Sequence, residues 1–272
     1  MKRYLKAVGN MIIYGGLYIL IQLFVGIGTI IYVTFRYILT NNSDKYRNQE
    51  GFTNNILNQY TSNINLILVI SILITFLIYW LIFFAKGKNI FHEAGFRRIG
   101  IDKLFLAGAL GLGASMVVGS VMNFIPVDKL FPEYNKMISS IMNKENPIFI
   151  IIVTSIVVPI FEETLFRGLI FNELKKIAPI IPAIVIQAVI FGVFHGNLLQ
   201  GSYAFLLALI LGITYLWTKS IWVNIFVHML FNGSNFFIQY LNFIPFIIYI
   251  ILGAILIIIP MVSIYRNRIN NI

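Results

Sequence analysis

Apolar residues along the chain fall into eight long runs separated by short polar stretches, at about 11–35, 64–85, 104–125, 148–171, 178–196, 203–217, 221–239 and 243–264. Each run is close to the roughly 20 residues an α-helix needs to cross the hydrocarbon core of a bilayer. In lipid, backbone polar groups must be satisfied within the segment, so such runs predict helices. The pattern predicts an all-α, polytopic membrane protein of about eight transmembrane helices forming a bundle. The first run is too long for the apolar part of a cleaved signal peptide, and no clear small-x-small cleavage site follows it, so it is expected to remain as a span.

The polar intervals set the expected orientation. With the N-terminus (Lys2, Arg3, Lys6) in the cytoplasm, the inner loops carry Lys86, Lys88, Arg97, Arg98 and Lys103, then Arg167, Lys175 and Lys176, then Lys219, with Arg266 and Arg268 in the tail. Fourteen of the 20 basic residues then lie inside and six outside, with Arg167 counted as inner. This asymmetry predicts that both termini are cytoplasmic. The interval Thr40–Asn63 is rich in Asn, Ser, Gln and charge and reads as a mobile external loop. In Pro126–Pro147, apolar Met137, Ile138, Ile141 and Met142 recur at helical spacing among charged residues, predicting an interfacial helix on the membrane.

Composition narrows the chemistry. The chain is 59% hydrophobic and 11% charged, with a mean hydropathy of +0.87. It has no cysteine, which excludes disulfides, thiol nucleophiles, iron–sulfur clusters and Cys-ligated zinc. The net charge of +10 has no folded basic domain to carry it as a nucleic-acid surface, and topology accounts for it; the partners expected are the lipid bilayer and no nucleic acid. Small residues four apart, Ala107, Gly111, Ser115 and Gly119 in the third run and Ala204, Ala208 and Gly212 in the sixth, predict close helix packing.

Against this apolar background a few polar residues stand out. The fourth run contains Pro159, Glu162, Glu163 and Arg167, and a charge near mid-bilayer costs roughly 2.5–3.5 kcal/mol on insertion scales. Glu163 and Arg167, at i and i+4, share a helical face and can form an ion pair. Glu162 points about 100° away and is left for chemistry. Pro159 has no N–H, so it can kink the helix and free a carbonyl. The fifth run ends Phe191-Gly192-Val193-Phe194-His195-Gly196-Asn197. The seventh holds His228 and Asn232, again four apart on one face. His92 reads as a solvated loop histidine, Trp80, Trp217 and Trp222 as core or interfacial anchors, and Phe191 as packing beside the site.

Together these groups suit hydrolysis. A carboxylate held in a protein interior can take a proton from water as a general base, a histidine can hold the same water, and a second histidine with an amide N–H can donate to an oxyanion. No Gly-x-Ser-x-Gly elbow and no His-Glu-x-x-His motif is present. Glu-Glu-x-x-x-Arg at 162–167, Phe-x-x-x-His at 191–195 and His-x-x-x-Asn at 228–232, in this order on separate apolar helices, resemble the CAAX protease and bacteriocin-processing (CAAX prenyl protease 2-like) family of intramembrane endopeptidases. The resemblance covers about residues 148–239. It implies an intramembrane catalytic cavity in which Glu162 activates water with help from His195. His228 and Asn232 would stabilise the oxyanion, supported by Glu163 and Arg167. Family members are often labelled metalloproteases, and Glu162, His195 and His228 are the set that would bind Zn²⁺; a mechanism with no cofactor is preferred here. Asn197 either orients His195 or caps a helix.

The expected organisation is 1–147 (three N-terminal spans and loops), 148–239 (catalytic core) and 240–272 (last span and cytoplasmic tail). The expected function is cleavage of a membrane-associated peptide or protein near the cytoplasmic surface of a bacterial cell membrane, in leader or pheromone-peptide processing or bacteriocin self-immunity. Two other classes fit parts of the pattern: a proton-coupled transporter with Glu162, Glu163, His195 and His228 as a relay, and a non-catalytic immunity or scaffold protein. The geometry carries a tension. On straight spans with these limits, Glu162 and His228 fall within about 10–14 Å of the inner face and His195 near the outer end. Convergence then requires kinked or longer helices, with residues to about Lys176 still helical.

Overall fold

The structure, a computed structural model, describes residues 1–40, 49–144, 146–238 and 245–269. Among these residues every regular element is helical. The eight apolar runs are eight long helices: α1 (Lys2–Thr40), α3 (Ile64–Ala85), α5 (Ile101–Met122), α8 (Pro147–Ile177), α9 (Ile180–Phe194), α10 (Leu198–Thr218), α11 (Ile221–Ile238) and α12 (Phe246–Ile269). Four short helices lie between them: α2 (Gln49–Thr61), α4 (Ile90–Ala94), α6 (Val127–Leu130) and α7 (Pro132–Lys144). Six of the eight long helices are long and apolar enough to cross a membrane, and α9 is apolar but shorter. The chain is a multi-pass membrane protein.

Short connections force neighbouring helices to run antiparallel. The basic segments 86–103, Lys175, Lys176 and Lys219 therefore gather at one end of the bundle, called here the basic end. Several expected limits shift. The fourth helix runs 31 residues to Ile177, beyond the expected 171, because Asn172–Ile177 stays helical despite its polar sequence. Glu173 in that turn accepts from Asn10 Nδ2 (3.1 Å) on α1 and from Lys176 Nζ (2.6 Å), so packing on α1 replaces hydropathy as the stabilising factor. The interval read as a loop, Thr40–Asn63, contains α2 over Gln49–Thr61, where Phe52 and Ile56 pack on Val33 and Tyr37 of α1; residues 41–48 lie outside the described residues. The domain limit at 239–240 also falls outside them.

The expected small-residue packing is present. Gly111 of α5 leaves room for the backbone and side chains of α11 at Val227 and Leu230, and Gly113 faces the Gly253 carbonyl of α12. The helix pair α9–α10 closes at Gly192, where an added Cβ would sit 2.7 Å from the Gly201 oxygen. A fully buried amide ties the same pair: Gln187 Nε2 donates to the Ala208 carbonyl (2.8 Å). Such interhelical bonds matter where no water can replace them.

At the basic end, segment 86–100 docks into the bundle instead of lying free. Asn89 caps α4 through Phe91 N and His92 N, and Gly95 closes it in the left-handed region at φ 85°. The Ala94 Cβ would lie 2.7 Å from a Cβ at Gly168 of α8, so only glycine allows this approach. The Gly95 carbonyl accepts from Ile221 N (2.9 Å), and Ser220 Oγ donates to the Arg97 carbonyl (2.7 Å). His92 is exposed, as expected, but lies on α4.

Candidate active site

The conflict in depth disappears once α8 has its full length. Counting from 162 to 177 gives 15 steps to the end of α8, and counting from 180 to 195 along antiparallel α9 gives 15 again. Glu162 and His195 therefore stand level, each about 22 Å from the turn joining the two helices. His228 joins them because α11 begins deep in the bundle, at the Gly95 carbonyl. The site lies near the middle of α8, not next to the basic end.

α8 is not a regular helix around this point. The turn Val153–Val157 widens to i→i+5 spacing, with Val158 N–H bonded to the Val153 carbonyl. The Thr154 carbonyl then loses its α-helical donor, and its i+5 partner would be Pro159, which has no N–H. Asn232 Nδ2 of α11 supplies the bond instead, at 2.9 Å. The freed carbonyl expected from Pro159 is thus used to join two helices. A second widened stretch, Thr164–Phe171, follows the glutamates, and such distortions recur at functional sites.

The two glutamates part as their spacing predicts. Glu163 is fully buried and bonded by three groups: Arg167 Nη1 (2.7 Å), His228 Nδ1 (2.8 Å) and Asn224 Nδ2 (3.4 Å). Arg167, equally buried, also stacks over the Phe191 ring at 4.4 Å. A cation on an aromatic face in a dry interior gains up to about 2 kcal/mol, so Phe191 supports a charge as well as packing. Its ring meets both imidazoles edge-on, His195 at 4.9 Å and His228 at 5.8 Å.

Glu162, with its side chain 16% exposed, faces a cavity of about 230 Å³ that it lines together with His195, His228, Asn232, Gln200 and Tyr203. His228 Nε2 lies 3.8 Å from Glu162 Oε2, so one imidazole joins the buried carboxylate to the cavity-facing one. His195 Nδ1 bonds the Phe191 carbonyl (2.8 Å), which leaves Nε2 for the cavity. The six expected site residues, Glu162, Glu163, Arg167, His195, His228 and Asn232, thus meet around one pocket and its supporting layer. Asn197 caps α10 at Gln200 N (2.8 Å) and donates to the His195 carbonyl (3.2 Å) instead of to the ring.

Two further residues belong to this constellation. Asn224 is fully buried and also donates to the Leu211 carbonyl (2.7 Å), tying Glu163 to α10. Its signal was present in the spacing, since 224, 228 and 232 form one stripe four residues apart. Gln200 had no such signal. Its Oε1 accepts from Asn197 Nδ2 (3.1 Å), and the residue lines the cavity. Among the described residues no three His, Cys, Asp or Glu side chains are gathered as a metal site.

Comparisons with known proteins agree with the motifs. Residues 144–234 match the family model described as type II CAAX prenyl endopeptidase Rce1-like. Over that stretch the chain is similar to the Rce1-like CAAX endopeptidase family. Over 144 residues, half of the chain, it is 35% identical to the membrane-embedded CAAX protease MroQ of Staphylococcus aureus (strain USA300), covering 57% of that protein. Over 82 residues, 30% of the chain, it is 40% identical to the putative membrane peptidase YdiL of Bacillus subtilis (strain 168), covering 34% of it. The chain thus spans between a third and three-fifths of these curated relatives' lengths. No solved structure matches it significantly.

Proposed function

We propose that the chain is an intramembrane endopeptidase that hydrolyses a peptide bond with water activated by Glu162. The observation that carries this reading is the chain of contacts Arg167–Glu163–His228–Glu162, which ends at the cavity. Glu162 takes a proton from water held between it and His195 as the oxygen attacks the carbonyl carbon. His228, with carboxylates on both ring nitrogens, is able to donate from Nε2 to the tetrahedral oxyanion. The free N–H of Asn232 adds a second donor. The proton then passes from Glu162 to the leaving amine as the C–N bond breaks. Glu163 and Arg167 orient His228. No step passes through a metal ion.

The positive-inside asymmetry supports placing both termini and the basic end in the cytoplasm of a bacterial cell. The substrate is a membrane-associated peptide or protein, in leader or pheromone processing or bacteriocin self-immunity. The test is incubation of the purified protein with membrane-anchored peptides, followed by mass spectrometry, with Glu162→Gln alongside. Cleavage by the wild type alone is expected, and equal cleavage by both removes Glu162 from its role. Cleavage that persists after chelator treatment is expected; its loss would restore the metal alternative.

A further inference from the structure

At the basic end, away from the carboxylates, a cavity of about 240 Å³ opens between segment 86–100, the end of α8 and the end of α10. Arg97, Lys175 and Lys219, one from each of these regions, line it together. It shares no residue with the catalytic cavity. Its volume is below the roughly 300–1,000 Å³ of ordinary small-molecule pockets. A compact group suits it better than a whole cofactor.

The neutral polar groups of this cavity are occupied with one another. Asn172 Nδ2 donates to the Gly168 carbonyl (2.6 Å) and to the Glu93 carbonyl (3.1 Å), and the Tyr215 hydroxyl donates to the Ala94 carbonyl (3.2 Å). Gly95 makes room for that hydroxyl, since a Cβ there would sit 2.7 Å from it. These bonds join the same three regions that carry the cations, which are therefore fixed relative to one another.

The cations have no such partners. Among the described residues none of Arg97, Lys175 and Lys219 forms an ion pair. Lys175 is partly buried, and its Nζ lies over the rings of Tyr215 (4.9 Å) and Phe171 (5.1 Å). Such faces attract a cation without neutralising it. Lys219 ends α10 in the left-handed region at φ 53°, where among the described residues every other positive φ belongs to glycine. Glycine takes such a position without steric cost, yet a lysine stands here beside two more cations. The carboxylate residue of the lining, Glu93, is already engaged by Lys88 Nζ at 3.1 Å, and His92 adds an imidazole. Three like charges around one small space repel one another, and an anion between them relieves the repulsion.

We infer that this cavity binds a phosphate group. A phosphate spreads its charge over several oxygens in a tetrahedral arrangement, so it can meet cations from three sides, whereas a carboxylate is flat and has two oxygens. Arg97 takes two of the oxygens in a fork, and Lys175 and Lys219 act as point charges. The group belongs to an anionic phospholipid headgroup, of the kind that basic pockets between membrane helices hold, or to a soluble phosphate compound. The inference uses neither Glu162 nor turnover, so it stands apart from the protease reading.

The test follows the unfolding midpoint of the purified protein in neutral detergent at fixed ionic strength, as a function of added probe. The probes are phosphatidylglycerol, phosphatidylcholine with the same acyl chains, and inorganic phosphate. Phosphatidylglycerol or inorganic phosphate should raise the midpoint, and phosphatidylcholine should not. A shift with inorganic phosphate assigns a soluble source, and a shift with phosphatidylglycerol alone assigns the lipid. Arg97→Gln, Lys175→Gln and Lys219→Asn should each weaken the effective probe by about 10-fold; asparagine tolerates the left-handed position. Arg97 is exposed and its printed bonds are made by its backbone, so Arg97→Gln reads the site even if Lys175→Gln fails to fold. A matched control, Lys86→Gln with Arg98→Gln and Lys103→Gln, removes three charges from the same end outside the cavity and should leave the affinity unchanged. Absence of a shift with both phosphate probes overturns the site, as does equal weakening by the control. Tighter binding of a poly-Glu peptide than of either phosphate probe overturns the ligand class.

Discussion

Glu162 and Glu163 are adjacent in sequence, yet their surroundings differ in almost every respect. Glu163 has no exposed surface and is bonded to a guanidinium, an imidazole and an amide on two helices. Glu162 keeps part of its surface on a cavity, with the His228 imidazole 3.8 Å away. A buried carboxylate surrounded by donors is held in one place, while one that faces a polar pocket can meet what enters it. The difference follows from one step along a helix, which turns the second side chain by about 100°.

Substitutions separate the two roles. The largest effect is expected from Glu162→Gln, which should lower the initial cleavage rate by about 10²–10⁴-fold while leaving the unfolding midpoint in detergent unchanged. A large stability loss with retained turnover would reverse the assignment. Arg167→Met should act in the opposite manner, destabilising the protein by about 3–5 kcal/mol in denaturant titrations by leaving the buried Glu163 without its guanidinium partner. Adding Glu163→Gln to it should restore part of that loss, and simple additivity would show that the pair is not coupled.

Asn232→Leu tests both sides at once. It leaves the Thr154 carbonyl without a donor, at about 1–3 kcal/mol of stability, and slows turnover through the missing oxyanion donor, with KM little changed. The smallest change is expected from Gln187→Leu, far from both carboxylates. Its interhelical bond should be worth about 0.6 kcal/mol, with cleavage per folded molecule unaltered.

Most of the frame could be read from the chain because lipid imposes a simple rule: apolar runs of sufficient length become helices. The motif residues were legible for a related reason, since a charge in such a run stands out. Legibility failed where tertiary contacts override composition. Asn172–Ile177 is polar, yet it is helical against α1 through Asn10 and Glu173. Gln49–Thr61 carries few apolar residues, yet two of them suffice to dock it on Val33 and Tyr37. The site's depth was misjudged for the first of these reasons, because ending α8 at 171 displaced Glu162 relative to His195. Gln200 escaped notice because its importance comes from Asn197 holding its oxygen, which spacing alone does not reveal.

The bond between Thr154 and Asn232 also bears on how the molecule is made. Seventy-eight residues separate the two, and at about 5–20 residues per second the ribosome needs roughly 4–16 s to deliver the second after the first. During that interval the newly inserted α8 holds a carbonyl that its own backbone cannot serve. Arg167, by contrast, emerges only four residues after Glu163, so that pair can enter the bilayer already neutralised. Biogenesis therefore includes a delay between the fourth long helix and the seventh, during which a translocon wall or trapped water must stand in for Asn232.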